Sequence, residues 1–215
     1  MKDVSTLDQR VYSAIEDKIL SGEYKAGEQI TENRLSSELG VSRTPVREAL
    51  MMLELNGLID LIPNKGAVVR GISVDDLVDI YKIRIRLEGL AASLAAERIS
   101  DDGIRQLEET VELSEFYISK NDCEKIKELD STFHSCVYRF SGSRMLEKVL
   151  SELHRSIGSY RKRSLENPGR LERSVSEHRE ILEAIKSKDA EKADKLTALH
   201  VNAALQNLLG VINGE

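Results

Sequence analysis

The 215 residues contain no tryptophan, only three phenylalanines and three prolines, and two cysteines. Aromatics make up 4% of the chain, so its core has to be built from aliphatic side chains, which suits a soluble helical protein. Cys123 and Cys136 stand alone, and no pair spacing suggests a zinc ribbon or a thiol redox motif. Two inert thiols in a reducing compartment fit this pattern. No apolar run approaches the length needed to cross a bilayer, and MKDVSTLDQRVY at the start lacks the apolar core of an export signal. The expectation is a cytoplasmic protein with no membrane partner. Positive charge is short as well, for the net charge is −6 although 32% of residues are charged. Residues 1–72 alone are slightly acidic, which excludes a bulk electrostatic binder of nucleic acid. Any hold on phosphates must come from a local cluster, namely Arg34, Arg43, Arg47 and Lys65.

That cluster falls around one stretch, ELGVSRTPVREAL, Glu38 to Leu50. Gly40 supplies a turn, because glycine alone takes a positive φ without steric cost. Ser42 is expected to cap a helix by accepting from a free backbone N–H one turn on. Pro45 sits in the first turn, where a missing N–H costs nothing. Val46, Ala49, Leu50 and Leu53 recur at helical spacing as the buried stripe, which leaves Arg43, Thr44 and Arg47 on the exposed helix start. An exposed start of that kind can enter a major groove. Upstream, Ile30 to Leu39 reads as a second short helix capped by Thr31, and the pair forms a helix-turn-helix. Leu7 to Leu20 is a first amphipathic helix. Downstream, Leu58 to Ile62 and Ala67 to Arg70 read as strands joined by the turn Pro63-Asn64-Lys65-Gly66. The expected fold is a winged helix-turn-helix over residues 1–72.

From ILSGEYKAGEQITENRLSSELG through VSRTPVREAL to LIDLIPNKGAVV, these residues resemble the DNA-binding domain of the GntR family of bacterial transcription regulators. One departure is Ala26, where the family usually has proline. The resemblance implies base and phosphate contacts from Ser42, Arg43, Thr44 and Arg47, with Asn33 and Arg34 near the backbone. Lys65 and Gly66 would form the wing tip at the minor groove, glycine allowing close approach.

Residues 73–215 carry no strand signal. Ser73 caps a helix to about Arg98, and further helices are expected from Ser100 to Ser119, Asp122 to Phe140, Arg144 to Ser164, Glu172 to Lys186, and after Asp189 to about Ile212. Short turns between them predict a mainly α domain, an antiparallel six- or seven-helix bundle. Gly71-Ile72 is the only linker visible, too short to let the two domains move far apart freely.

Polar groups occur in this bundle where apolar ones belong. Val175, His178, Leu182 and Ile185 share a stripe, as do Ala193, Leu196, His200, Ala203 and Val211. Positions 178 and 200 are equidistant from the turn between their helices, so the two rings can meet. Asp130 and His134 are four apart and share a face. One aspartate and three of the four histidines on inward faces form a mixed N/O set for a first-row divalent cation, with open coordination positions. Zinc comes first, with nickel, manganese and iron also acceptable. His154 is a reserve ligand or a group that supports the ligands from outside.

The stretches DIYKIRIRLEGLAASLAA, LDSTFHSCVYRFSG and EHREILEAIKSKDAEKADKLTALHVN resemble the FCD effector-binding domain of the FadR-type GntR subfamily. The resemblance implies that Asp130, His134, His178 and His200 ligate metal, and that a small organic acid lies beside it. It also makes Arg84 a candidate for the acid's carboxylate; an Arg84–Glu88 pair bracing the bundle is the alternative. The expected protein is a homodimeric, ligand-responsive regulator, a repressor in the first reading, binding a palindromic DNA operator. A sensor of the cation itself and a metalloenzyme are the rivals.

Overall fold

The computed structural model describes residues 7–63, 65–165, 167 and 169–213; Asn64 of the expected turn lies outside them. The chain divides into two compact units between Asp76 and Leu77.

The first unit runs α1 (Leu7–Leu20), β1 (Gln29–Ile30), α2 (Glu32–Leu39), α3 (Arg43–Leu55), β2 (Ile59–Ile62) and β3 (Gly66–Val69). Its antiparallel sheet has the order β1-β3-β2, with Ile59 opposite Val69 and Ile30 opposite Ala67. The apolar stripes of α1 and α3 meet the inner face of the sheet. Ile15, Ile30, Leu35, Val46, Leu50, Leu53 and Ile59 are all buried there.

Two local expectations are corrected. Ile30 belongs to β1, not to α2. Thr31 is the cap of α2, its hydroxyl accepting from the Arg34 N–H at 3.2 Å, and the residue before an extended cap continues as strand. A two-residue strand is too short to leave a periodic signal. Ser42 occupies the cap position of α3, but its side chain makes no cap hydrogen bond. The residue three positions on is Pro45, which has no N–H to donate.

Gly66 has φ +90°, and a Cβ there would run into the Ile30 carbonyl oxygen and lie 3.0 Å from Thr31 Cα. Its first duty is therefore to let β3 close on β1.

The second unit contains α4 (Val74–Arg98), α5 (Asp101–Lys120), α6 (Cys123–Phe140), α7 (Arg144–Ser156), α8 (Gly158–Leu165), α9 (Arg170–Lys186) and α10 (Ala190–Asn213). Ser73 opens α4, its hydroxyl accepting from the Asp76 N–H at 3.1 Å. Ser100, Asp122 and Ser143 cap α5, α6 and α7 in the same way. The core is aliphatic as expected, with Ala91, Ala92, Ala95 and Ala96 of α4 against Leu107, Val111, Phe133, Val137, Leu182 and Ile185.

The single helix expected from Arg144 to Ser164 is two. Ile157 leaves helical geometry at φ −107°, ψ 17°, and Gly158 follows it. Glycine costs about 1 kcal/mol in a helix interior relative to alanine, which marks the place for a break. After the break, α8 turns Arg161, Ser164 and Leu165 inward. On α10 the buried face is also rotated by one position. Ala193, Thr197, His200, Val201, Leu205 and Leu208 are buried, while Leu196, Ala203 and Val211 are only partly so.

Gly66→Ala should lower the stability of the first unit by at least about 1 kcal/mol, since both φ and space are wrong for a side chain. Urea denaturation followed by circular dichroism measures it, and an unchanged midpoint would remove the β1–β3 contact as the reason for this glycine.

Candidate metal centre and nucleic-acid surface

On the first unit, α3 and the wing enclose an open groove of about 620 Å3. Asn33, Arg43, Arg47, Lys65 and Gly66 line it, together with Glu32. Ser42 and Thr44 are exposed at the start of α3. Arg47 is 65% exposed and presents its guanidinium as a fork to Glu32, with contacts of 2.9 and 3.0 Å. The Arg47 hydrogen bond holds the Glu32 carboxyl below its usual range. Arg34 is placed differently. It lies between Glu28 and Glu38, 2.7 Å from each, and does not line the groove.

In the second unit Asp130, His134, His178 and His200 converge. One ligand atom from each lies within 4.8 Å of the others, and all four residues are buried. α6 contributes Asp130 and His134 one turn apart; α9 and α10 contribute His178 and His200, whose ring centroids are 4.7 Å apart. Phe133 stacks on the His178 ring at 4.0 Å and fixes its plane.

Hydrogen bonds outside the cluster set the tautomers. His134 Nδ1 lies 2.9 Å from Glu88 Oε2, and His200 Nδ1 lies 2.6 Å from Glu177 Oε2. A carboxylate accepts only, so each ring gives its Nδ1–H outward and keeps Nε2 inward. The two Nε2 atoms face each other at 3.2 Å. Two lone pairs at that distance repel unless a cation lies between them. His178 Nε2 has no hydrogen-bond partner at all and is 3.8 Å from Asp130 Oδ1. Burial pushes His178 and His134 below the ordinary histidine range, which keeps their rings in the ligand form. These orphaned and opposed nitrogens fit a divalent cation, and the buried Asp/His group can hold one.

Arg84 and Glu88, both buried, form an ion pair with Arg84 Nε and Nη2 each 2.7 Å from Glu88 Oε1. Burial opposes the Glu88 charge, but Arg84 and then His134 overcome it and hold the carboxyl far below the usual range. The ion pair named as the alternative for Arg84 is thus formed. Arg84 Nη1 nevertheless remains without a partner, as does the hydroxyl of Tyr81, and both line a cavity of about 20 Å3 beside Asp130, His134 and His200. That space accepts a water molecule.

Five contributors, Arg161, Arg170, Ser174, Glu177 and Tyr81, were not found by periodicity. Arg161 donates to Asp130 Oδ2 and to His154 Nε2. His154 Nδ1 meets the Tyr138 hydroxyl at 3.2 Å, so neither nitrogen of this reserve ligand is left for a cation. Arg170 is 2.8 Å from Glu177, and Ser174 donates to Asp130 Oδ1 at 3.1 Å. Tyr81 completes the set. An arginine or glutamate on a helix reads as surface; the one available signal was the i, i+7 spacing of Arg170 and Glu177 on one face of α9.

A recognition helix beside a wing, followed by a helical unit, defines a DNA-binding regulator of transcription. The pattern of the bacterial regulatory proteins of the gntR family matches residues 7–69, and that of the FCD domain matches residues 79–203. The chain is 33% identical over 203 residues to the uncharacterized HTH-type transcriptional regulator YdhC of Bacillus subtilis, covering 94% of this chain and 90% of that one. It is 28% identical to the gluconate operon transcriptional repressor of Bacillus licheniformis, over 90% of this chain and 80% of the repressor. Its fold matches the structure of McbR/YncC of E. coli with a TM-score of 0.78 and 25% identity, covering 97% and 100% of the two chains. The protein belongs to the GntR family and is a transcriptional regulator, not an enzyme. Among the described residues no helix is long and apolar enough to cross a membrane.

Arg84→Met should cost roughly 3–5 kcal/mol in bundle stability, because it leaves the Glu88 charge buried without its main partner. Adding Glu88→Gln should recover much of the loss. Equilibrium unfolding of the two variants measures this, and a loss below about 1 kcal/mol for the single change would show that the pair does not brace the bundle.

Proposed function

We propose that the protein is a ligand-responsive repressor that binds a palindromic operator as a cytoplasmic homodimer and takes a small carboxylic acid on a metal in its bundle. Asp130, His134, His178 and His200 are the ligands, with zinc the first choice among zinc, nickel, manganese and iron. A cation there supplies positive charge and open coordination positions. Arg84 Nη1 and the Tyr81 hydroxyl then receive the acid's carboxylate. Two buried donors without acceptors, beside a buried ligand set, are the observation that carries this reading. They also favour it over a plain cation sensor, which has no use for them.

On the DNA side, Arg43, Thr44 and Arg47 read bases and phosphates, with Ser42 at the helix start and its hydroxyl uncommitted to capping. Asn33 and Lys65-Gly66 approach the backbone and the minor groove. Arg34, held between Glu28 and Glu38, lies near the backbone rather than the base edges. Duplication by two-fold symmetry compensates for a module with few free cations. Acid binding changes operator affinity to the extent that it prefers one state of the bundle.

Arg47→Ala should weaken binding to an operator selected from random-sequence DNA by about 1–3 kcal/mol with unchanged circular dichroism. Equal affinity would take Arg47 out of the interface. His178→Ala should lower bound metal and thermal midpoint together, since a ligand of the native state stabilises it. Elemental analysis showing full metal content in that variant would contradict the assigned ligand set.

A further inference from the structure

One acidic side chain stands on the DNA-binding face where its charge opposes the partner. Glu32, in the first turn of α2, lines the groove between α3 and the wing together with Arg43 and Arg47. A carboxylate at that place repels the phosphates that a DNA-binding face has to approach. Fold stability does not account for it. Its partner Arg47 is 65% exposed, and an exposed ion pair contributes little to stability. What the carboxylate does to the guanidinium is the remaining reason for its presence.

Arg47 Nε donates to Glu32 Oε1 at 3.0 Å, and Arg47 Nη2 donates to Glu32 Oε2 at 2.9 Å. Two parallel bonds along one edge fix the plane of the guanidinium. The other edge, Nη1 with the second N–H of Nη2, has no partner among the described residues. Two N–H donors side by side match the O6 and N7 acceptors of guanine in the major groove, whereas adenine presents one acceptor and one donor there. Arg43 is the contrast. It is exposed, lines the same groove and forms no ion pair among the described residues. A guanidinium with no fixed plane meets a phosphate in any sequence, while a fixed one can tell one base from another.

We propose that Glu32 is a positioning residue for DNA reading: it holds the Arg47 fork so that the free edge meets a guanine in each half-site, and its charge weakens binding to every other sequence. The inference rests on the reading that α3 enters the major groove. It adds the residue that sets selectivity and the base that is selected.

The test selects binding sites for the full chain from random-sequence DNA, for the parent, Glu32→Ala, Glu32→Gln and Arg47→Ala, and then measures affinity for the selected site and for unrelated duplex. The parent should require guanine at one position of each half-site, and Arg47→Ala should lose that requirement. Glu32→Ala should relax the same position, lowering the preference for guanine by roughly tenfold, within the range of one bidentate arginine–guanine contact. It should also bind unrelated duplex more tightly than the parent, with a salt slope steeper by about one, which a merely structural defect would not produce. Glu32→Gln keeps one acceptor and should fall between the two. An unchanged guanine preference in both Glu32 variants, with Arg47→Ala defective, would overturn the proposal. So would a preference lost at a base pair other than the one lost in Arg47→Ala, since Glu32 would then read a base itself. If Glu32→Ala does not fold, Glu32→Gln decides, and parental selectivity with no gain on unrelated duplex would overturn the proposal. An Arg47→Ala variant that selects the parent's sequence would overturn the placing of α3 and this inference with it.

Discussion

Glu88 and Glu177 each accept a hydrogen bond from the outer N–H of a histidine, and what the interior of the bundle can do follows from those two bonds. They turn two imidazole lone pairs toward one point and leave a third, on His178, with nothing to meet. A bundle of this size could have filled the same volume with leucine at no electrostatic cost. Instead it buries three guanidiniums, two carboxylates and three imidazoles, and sets the partly buried Glu177 against the third guanidinium. Such an interior is costly unless every member is paired. Among the groups that stay unpaired, Arg84 Nη1, the Tyr81 hydroxyl and Arg170 Nε belong to residues lining the cavity beside Asp130, and His178 Nε2 lies 3.8 Å from Asp130 Oδ1.

The first unit solves a different electrostatic problem. A chain of net charge −6 has to approach a polyanion. Its arginines are kept in order by neighbouring carboxylates, Arg47 in the groove by Glu32, and Arg34 outside it by Glu28 and Glu38. That lowers the long-range attraction for DNA and favours an ordered fork over a loose positive charge, which suits base reading more than bulk adhesion.

Much of this was legible in the sequence, and the exceptions have physical causes. The buried stripe Val46, Ala49, Leu50 and Leu53 and the caps at Thr31, Ser73 and Ser100 follow from helical period and capping chemistry. The meeting of His178 and His200 followed from their equal distance from one turn. β1 was missed because two residues have no period, and the α7–α8 break because Gly158 within a helical pattern usually costs stability without ending the helix. Arg161, Arg170 and Tyr81 were missed for a deeper reason. Periodicity marks apolar faces, and an arginine is read as solvent-facing until a buried carboxylate shows otherwise. Asp130 and His134 were visible only as polar exceptions on such a face. The face of α10 is rotated because Leu196 and Val201 are equally apolar and only packing decides between them.

We propose that the Asp130, His134, His178 and His200 cluster holds a cation, as the convergence of its four buried ligand atoms allows. Native mass spectrometry of the protein as purified, before and after chelation and with elemental analysis of the same sample, tests it most directly. One divalent cation per chain is expected, lost on chelation and regained on adding zinc. A chain that purifies without metal and takes up none on titration would contradict it, and the three histidines would then be core residues held by Glu88, Glu177 and one another.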